Sequence, residues 1–269
     1  MITCTKAEAE ELRFGFGKNW GRYLELVDDD RIAAAERSLA DMLDIESMEG
    51  KRFLDIGSGS GLFSLAARNL GAEVHSFDYD SESVGCARFL KQRYRSDDEN
   101  WRVEQGDVLD SEYLNQLGQF DIIYSWGVLH HTGDMWRALK NVAPLVAEGG
   151  VLFLALYNDQ RWLSKYWTRV KIIYNLSFIG RLAVVAIHAP YFLLRHAVKW
   201  LVRGSLKQKR GMDPWRDILD WLGGYPFEVA RPEEVLAFFR NKGFVLDKMT
   251  TVDGRHGCNE FVLRYLSKG

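Results

Sequence analysis

The chain has 269 residues, of which 47% are hydrophobic and 27% charged, and its formal net charge at pH 7 is −2. This composition predicts a soluble protein with one substantial buried core and an appendage. Its three cysteines lie far apart, so the sequence indicates neither a disulfide framework nor a zinc site. The first residues lack the basic region and apolar run of a signal peptide, and we therefore expect a cytoplasmic protein.

A glycine-rich turn follows the first predicted strand. Residues 54–61 read Leu-Asp-Ile-Gly-Ser-Gly-Ser-Gly and lead directly into a segment with helical spacing. A strand, a glycine turn and a helix N-terminus allow the backbone to approach a nucleotide-like ligand closely. Leu62 occupies a position where a dinucleotide fingerprint needs a small residue. Asp55 would repel a pyrophosphate but attract the amino group of a methionine moiety, so the pattern favours S-adenosylmethionine.

Acidic residues also end the next two predicted strands. The second strand, 73–77, ends at Asp78, where a carboxylate reaches a ribose diol in a strand-helix-strand unit. The neighbouring Asp80 is expected to cap the following helix. The third strand, 101–108, carries Asp107 near its end, which either accepts a hydrogen bond from the adenine amino group, with Val108 against the ring, or closes a turn.

A fourth strand, 120–126, leads to Gly-Val-Leu-His-His, and a helix, a Glu-Gly-Gly turn at 148–150 and a fifth strand at 151–156 follow. With the glycine turn and the strand-end acids, these marks resemble the core of a class I S-adenosylmethionine-dependent methyltransferase, over residues 51–157. The resemblance is to the broad group that includes the quinone-biosynthesis O-methyltransferases. It implies an α/β fold with a Rossmann-like sheet and S-adenosylmethionine as the cofactor.

By this resemblance, the three glycines of the turn line the methionine end of the cofactor, while Asp78 binds the ribose and Asp107 the adenine. The expected cofactor contacts are Asp55, Gly57, Ser58, Gly59, Gly61, Asp78, Tyr79, Asp107, Val108, Ser125 and Trp126.

A hydroxyl acceptor must lose its proton, and a histidine near its ordinary pKa suits that task. His130 and His131 follow the fourth strand, and we predict His131 as the base, with His130 packing or contacting the cofactor. The alternative is that neither histidine is a base and both form a polar wall. Rival bases are Asp213, Asp217, Asp220 and His256. No carboxylate pair follows the fourth strand at ligand spacing, so we expect no metal.

A basic segment separates this core from the end of the chain. Positions 160–212 contain eleven Lys and Arg residues and no Asp or Glu. The helix and hairpin that normally end the class I fold are recognisable only after residue 230. The predicted units are therefore an N-terminal arm and helix (1–49), the cofactor-binding core (50–157), a helical lid inserted after the fifth strand (158–230), and a C-terminal helix and β-hairpin (231–269).

The lid has three interpretations. Aromatic residues among its bases are typical of a helix on an anionic membrane or of a grip on a phosphorylated, lipid-like substrate. A solvated lid whose apolar side packs on the core is the second interpretation, and a nucleic-acid surface is a weaker third. The apolar stretch 182–194 is too short to span a bilayer.

We therefore expect a methyltransferase that modifies the oxygen of a small or lipid-linked hydroxyl compound, such as a phenol, a quinone precursor or a carrier-bound sugar. The alternatives are N- or C-methylation of a natural-product intermediate, and a non-catalytic cofactor-binding protein that docks on a membrane or a protein partner. Four side chains are candidates for acceptor contacts: Trp20, Tyr157, Tyr225 and Glu228. Trp20 belongs to an aromatic, glycine-containing segment that either closes over the site or anchors the N-terminal arm.

Overall fold

The computed structural model describes residues 12–15, 17, 20, 24, 27–203 and 214–266. Side chains at 195–203, 214–217 and 220 lie outside this description. The later bases of the lid, Lys207, Lys209 and Arg210, fall outside the described residues, as does Asp213.

Seven strands of the described chain form a single mixed sheet with the spatial order β3-β2-β1-β4-β5-β7-β6. The first five strands pair in parallel, and β7 pairs antiparallel with both of its neighbours. Because β1 lies between β2 and β4, the strand order reverses there and opens a crevice at the carboxyl ends of these strands. The strands are β1 (Arg52–Ile56), β2 (Glu73–Asp78), β3 (Trp101–Gln105), β4 (Phe120–Trp126), β5 (Val146–Tyr157), β6 (Phe244–Thr250) and β7 (Cys258–Tyr265).

Helices connect the strands and cover the sheet. Those in the described ranges are α1 (Asp29–Leu43), α2 (Leu62–Asn69), α3 (Ser81–Arg95), α4 (Ser111–Leu117), α5 (Met135–Val142), α6 (Trp162–Leu176), α7 (Phe178–Arg203), α8 (Pro214–Gly223) and α9 (Pro232–Arg240). Asp80 caps α3 by accepting a hydrogen bond from the Glu82 amide, as the sequence predicted. Asp28 and Asp110 cap α1 and α4 in the same way.

The sheet separates two apolar layers. Side chains alternate between its faces along a strand, so Phe53 of β1 packs with Leu39 and Trp101 on one side, while Leu54 packs with Leu139 on the other. This alternation holds the sheet between two cores and fixes the position of the strand ends that form the crevice.

The predicted turn at 148–150 is wrong, because these residues belong to β5. Phe120 pairs with Val146, whereas Ile122 pairs with Val151, so the extra residues form a bulge inside the strand. Gly149 adopts a φ of 74° there, which glycine allows without steric cost.

Helices α6, α7 and α8 follow β5 and build a third apolar cluster, in which Trp167, Tyr174, Ile218 and Leu222 are buried. Large apolar side chains on the outer surface of α6 and α7 are exposed, among them Trp162 at 74% and Ile179 at 77%. Within the described ranges we find no helix with the length and apolar character needed to cross a membrane.

Candidate active site

The glycine turn lies at the crevice and is held in a conformation that side chains would prevent. Gly57, Gly59 and Gly61 have φ values of 73°, 53° and 80°. A Cβ atom at position 57 would lie 2.4 Å from Val128 Cγ1. The amides of Gly57 and Ser58 donate to the Phe77 carbonyl at 2.9 and 3.2 Å, which ties the turn to β2.

Asp78 connects the end of β2 to the same turn. Its Oδ2 accepts a hydrogen bond from the Gly59 amide at 2.9 Å, and its Oδ1 accepts one from the Asp80 amide at 3.0 Å. Burial raises the pKa of Asp78 to about 6. A carboxylate oxygen can accept more than one hydrogen bond, so this group retains capacity for hydroxyl donors.

Asp55 lies inside β1 and is only 2% exposed. Its Oδ2 accepts a hydrogen bond of 2.5 Å from the Ser64 hydroxyl, which in turn accepts one of 2.8 Å from Ser76. Trp101 Nε1 donates to the Ser76 hydroxyl at 2.8 Å and completes a buried polar chain. Burial raises the pKa of Asp55 to about 7. Its role toward a methionine amino group stays a prediction.

The Ser58 hydroxyl is relevant to ligand binding at the glycine turn. Its oxygen is buried and has no hydrogen-bond partner among the residues that the structure describes. Buried hydroxyl groups are nearly always paired in folded proteins. An unpaired hydroxyl on a glycine turn, at the carboxyl ends of parallel strands, fits a site that a polar ligand completes.

The other expected cofactor contacts are engaged within the fold. Asp107 Oδ1 accepts a hydrogen bond from the Leu109 amide at 2.8 Å, which matches the turn alternative, and Val108 is buried in the core. The Ser125 hydroxyl donates to the Ile56 carbonyl at 3.3 Å, and Trp126 Nε1 donates to Glu260 at 2.7 Å. Asp107, Ser125 and Trp126 thus have partners within the fold, and the cofactor roles of all four residues stay predictions.

The N-terminal arm lies across this site. A Cβ atom at Gly59 would be 2.9 Å from Trp20 Cε2, so the Trp20 indole covers the glycine turn. The Gly17 amide donates to Asp80 Oδ2 at 2.9 Å. Arg13 Nη2 donates to the Thr132 carbonyl at 3.0 Å, and the Arg13 guanidinium lies 4.3 Å from the centre of the Tyr79 ring. Tyr79 is itself 44% exposed.

His130 is fully buried, and its surroundings define its tautomer. The Tyr157 amide donates to His130 Nδ1 at 3.3 Å, so Nδ1 carries no proton and the neutral ring is protonated on Nε2. Burial is the main reason that the pKa of His130 lies well below its usual range. The Nε2 atom is buried, and the described part of the chain offers it no hydrogen-bond partner. His130 is thus a neutral donor and is unsuited to act as a base.

His131 has the opposite tautomer. Its Nδ1 lies 2.6 Å from the Pro226 carbonyl oxygen, which can only accept, so Nδ1 holds the proton and Nε2 holds the lone pair. Burial lowers the pKa of His131 to about 3, with smaller contributions from the charges of Lys171 and Arg13. His131 is therefore the one of the two histidines whose tautomer is compatible with accepting a proton.

Besides Trp20, three predicted acceptor contacts lie in different surroundings: Tyr157, Tyr225 and Glu228. The Tyr157 ring lies 3.9 Å from His130 and 5.4 Å from Trp221, between centroids, and so faces the lid. Glu228 instead caps α5, because both of its carboxylate oxygens accept the Met135 amide at 3.0 and 3.1 Å. The Tyr225 carbonyl accepts from the Phe14 amide at 2.9 Å and joins the lid to the arm.

Among the rival bases, His256 packs against Trp167 and Trp221, with ring centroids 5.6 and 5.4 Å apart. Asp213 lies outside the described residues, and so do the side chains of Asp217 and Asp220.

The sequence did not single out Lys171, which is fully buried in the lid. Its Nζ donates to the Trp221 carbonyl and lies 4.6 and 4.8 Å from the centres of the Trp221 and Phe227 rings. In the sequence, its positive charge alone grouped Lys171 with the bases expected on the surface. The helical spacing of Trp167, Lys171 and Tyr174 is the signal that puts it on the buried face of α6.

Comparison with known proteins assigns this chain to a family. The methyltransferase domain family matches residues 27–208, about two thirds of the chain. A ubiquinone biosynthesis O-methyltransferase from Xanthomonas oryzae is 35% identical over 176 residues, which are 63% of this chain and 70% of that protein. The relative from Xanthomonas campestris is 36% identical, and the match spans only 45% of its length.

Solved structures share the fold at low sequence identity. The magnesium protoporphyrin IX methyltransferase of Synechocystis, solved with bound S-adenosylmethionine, gives a TM-score of 0.52 at 13% identity and covers 87% of this chain and 79% of its own. The cyclase SpnF gives the same TM-score at 14% identity, covering 87% and 81%. The chain belongs to the methyltransferase domain family, and the predicted class I, Rossmann-like fold is confirmed.

Proposed function

We propose that this protein transfers a methyl group from S-adenosylmethionine to a hydroxyl oxygen of a small or lipid-linked acceptor. The observation that carries the proposal is the glycine turn, which Asp78 holds through the Gly59 amide beside the unpaired Ser58 hydroxyl. This arrangement lies at the crevice where the strand order reverses, the usual ligand site of an open α/β sheet. Relatives named O-methyltransferases support oxygen as the acceptor atom.

The residues present fit this cofactor. Asp78 would bind the ribose hydroxyls, the glycine turn would lie against the methionine end, and the Ser58 hydroxyl would gain a polar partner. Asp55 would place negative charge near the amino group. When bound, S-adenosylmethionine supplies an electrophilic methyl group on its sulfonium. Trp20 would cover the occupied turn and exclude water from it.

The acceptor side is formed by the loop after β4 and by the lid. His131, held by the Pro226 carbonyl, would accept the hydroxyl proton at Nε2. With a pKa of about 3 it is a weak base in the free protein. An ionised acceptor oxygen beside it would favour the imidazolium and raise that pKa. We therefore expect its basicity to develop only when the acceptor is bound, with alignment of acceptor and methyl group supplying much of the acceleration.

The test is a methyl-transfer assay with an isotope-labelled methyl group and a panel of hydroxyl, amine and carbon acceptors. O-methyl products from the native protein would support the proposal. Products methylated only on nitrogen or carbon would replace it with the alternative reaction. Tight cofactor binding without transfer to any acceptor would favour a non-catalytic protein, and the similarity to a cyclase shows that the fold alone does not decide between these.

We further propose that the outer surface of α6 and α7 contacts an anionic membrane. Exposed apolar side chains there include Trp162, Phe178 and Ile179, and exposed bases lie beside them at Lys165, Arg169 and Arg181. An apolar surface with one sign of charge favours anionic lipid over solvent. Outside positions 160–212 the chain has 24 basic and 37 acidic residues, which makes nucleic acid a poor partner.

A further inference from the structure

Three N–H groups in or beside the lid are buried, and no residue in the described ranges accepts a hydrogen bond from them: His130 Nε2, Trp167 Nε1 and Trp221 Nε1. Each belongs to an aromatic ring, and the proton on His130 Nε2 follows from the bond that its Nδ1 accepts. Buried donors are almost always paired, because leaving one unpaired costs its full desolvation. Three unpaired buried donors in one region are therefore unusual for a folded protein.

The rings that carry them form one continuous cluster. Tyr157 lies 3.9 Å from His130 and 5.4 Å from Trp221, and Trp221 lies 5.8 Å from Trp167, between ring centroids. Phe227 adds a further wall, 5.1 Å from Tyr157. The cluster begins at the loop after β4, next to the proposed base, and continues into the lid.

The positive charge next to this cluster also favours an oxygen-bearing ligand. Lys171 Nζ lies 4.6 Å from the Trp221 ring and 4.8 Å from the Phe227 ring, and its charge contributes to the low pKa of both histidines. Both the local charge and the N–H groups thus favour electron-rich oxygen. Aromatic walls favour a flat ligand, because rings stack or meet edge to face.

We propose that these three N–H groups are specificity-determining donors that bind oxygen atoms of the methyl acceptor. The inference rests on the proposed function and adds to it the means of recognition. His130 Nε2 would bind the oxygen nearest the reaction, and the two indoles would bind oxygens farther along a flat, oxygen-bearing acceptor. The lid would then select acceptors by their oxygen pattern as well as by their size.

The experiment removes one donor at a time without changing shape. Benzothienylalanine in place of Trp167 or of Trp221 replaces the N–H by sulfur and keeps the two-ring outline. The same replacement of Trp136, an exposed side chain on α5, is the matched control. Binding of catechol to the protein saturated with S-adenosylhomocysteine is measured by titration, with toluene as the oxygen-free probe. The indole N–H resonances of the unmodified protein are followed in parallel.

We expect catechol affinity to fall about 3- to 10-fold at position 167, 221 or both, the usual worth of one hydrogen bond, and to stay unchanged at position 136. Without ligand, the two lid variants should be at least as stable as the native protein. Catechol, unlike toluene, should also shift the Trp167 or Trp221 N–H resonance. Equal affinities throughout, unshifted resonances, or no catechol binding at millimolar concentration would overturn the inference. Donor-dependent binding without methyl transfer to any acceptor would overturn the proposed function alone.

Discussion

Asp55 inside β1 is buried and Asp78 at the end of β2 is partly buried, and desolvation raises the pKa of Asp55 to about 7 and that of Asp78 to about 6. Below a pH of about 6, both groups are therefore mainly neutral in the folded protein without ligand. For a raised pKa, the stabilising contribution is fully present below the ordinary pKa of 3.8 and is lost as the pH rises through 6 to 7. A positively charged ligand reverses this preference, because it binds the ionised form.

The affinity for S-adenosylmethionine should consequently fall as the pH is lowered from 8 to 5, since binding must first remove protons from these carboxyl groups. Isothermal titration across this range measures the effect. Asp55→Asn should flatten the part of the profile near pH 7, whereas Asp247→Asn, on the outer strand β6, should leave the profile unchanged. An affinity that does not vary between pH 5 and 8 would contradict this account.

Replacing Asp78 tests the cofactor site itself. Asp78→Ala removes the proposed ribose acceptor and releases the Gly59 amide. We expect binding of S-adenosylmethionine to weaken by roughly 1.5 to 3 kcal/mol, the usual worth of hydrogen bonds to a charged group, or about one to two decades in affinity. Titration of the variant decides this. Unchanged affinity, or a preference of the native protein for a nicotinamide dinucleotide, would show that the crevice binds another cofactor.

The two histidines should respond differently to substitution. His131→Ala removes the proposed base and should lower turnover by about 10² to 10⁴, with cofactor affinity nearly intact. His130→Ala removes only a donor and should act mainly on KM for the acceptor. Steady-state kinetics on both variants separate the roles. Losses below about threefold in turnover for both would indicate that alignment carries the reaction or that another residue is the base.

Among the elements, the sequence predicted the parallel strands and the helix before them, with the largest error at β5, which was expected from residue 151 and begins at Val146. The helix expected within residues 1–49 is Asp29–Leu43, and the second strand was expected at 73–77 and is Glu73–Asp78. Fully buried strands are continuous apolar runs that end at glycine or acid, which makes them readable. The bulge at 148–150 was not predictable, because two glycines after an acid favour a turn equally well.

The bases on the surface of α6 and α7 should contribute to membrane binding. Replacing Lys165, Arg169 and Arg181 together with Gln should weaken binding to vesicles that contain acidic lipid. Each base near the surface contributes about 1 kcal/mol, so we expect a loss of about two decades. Co-sedimentation with vesicles at low salt measures the binding, which should also weaken as salt rises.

A control for charge alone is available elsewhere on the chain. Lys51, Arg88 and Lys140 are exposed outside the lid, and their joint replacement with Gln removes the same charge. That triple variant should bind vesicles like the native protein, and both triple variants should bind S-adenosylmethionine normally. Native protein that ignores acidic vesicles, or equal losses in the two variants, would contradict membrane contact through this surface.

At the scale of the whole molecule, the fold could be predicted because its signals are local, namely a glycine turn, strand-end acids and a histidine pair. The proposed acceptor side could not be predicted in the same way, because it forms from segments that are far apart in the sequence. Pro226 orients His131 across 95 positions, and Lys171 points inward from a segment whose bases suggested a surface. The expected domain boundaries and the individual site roles stay predictions, while the fold they were built on is confirmed.

We propose that the crevice binds S-adenosylmethionine and that the lid holds an acceptor oxygen next to its methyl group. The most direct measurement incubates the native protein with S-adenosylmethionine carrying an isotope-labelled methyl group and with the acceptor panel, and reads the labelled products by NMR. The account predicts a label on oxygen, abolished or strongly reduced in both Asp78→Ala and His131→Ala. A label only on nitrogen or carbon, or no transfer by a protein that binds the cofactor, would contradict it.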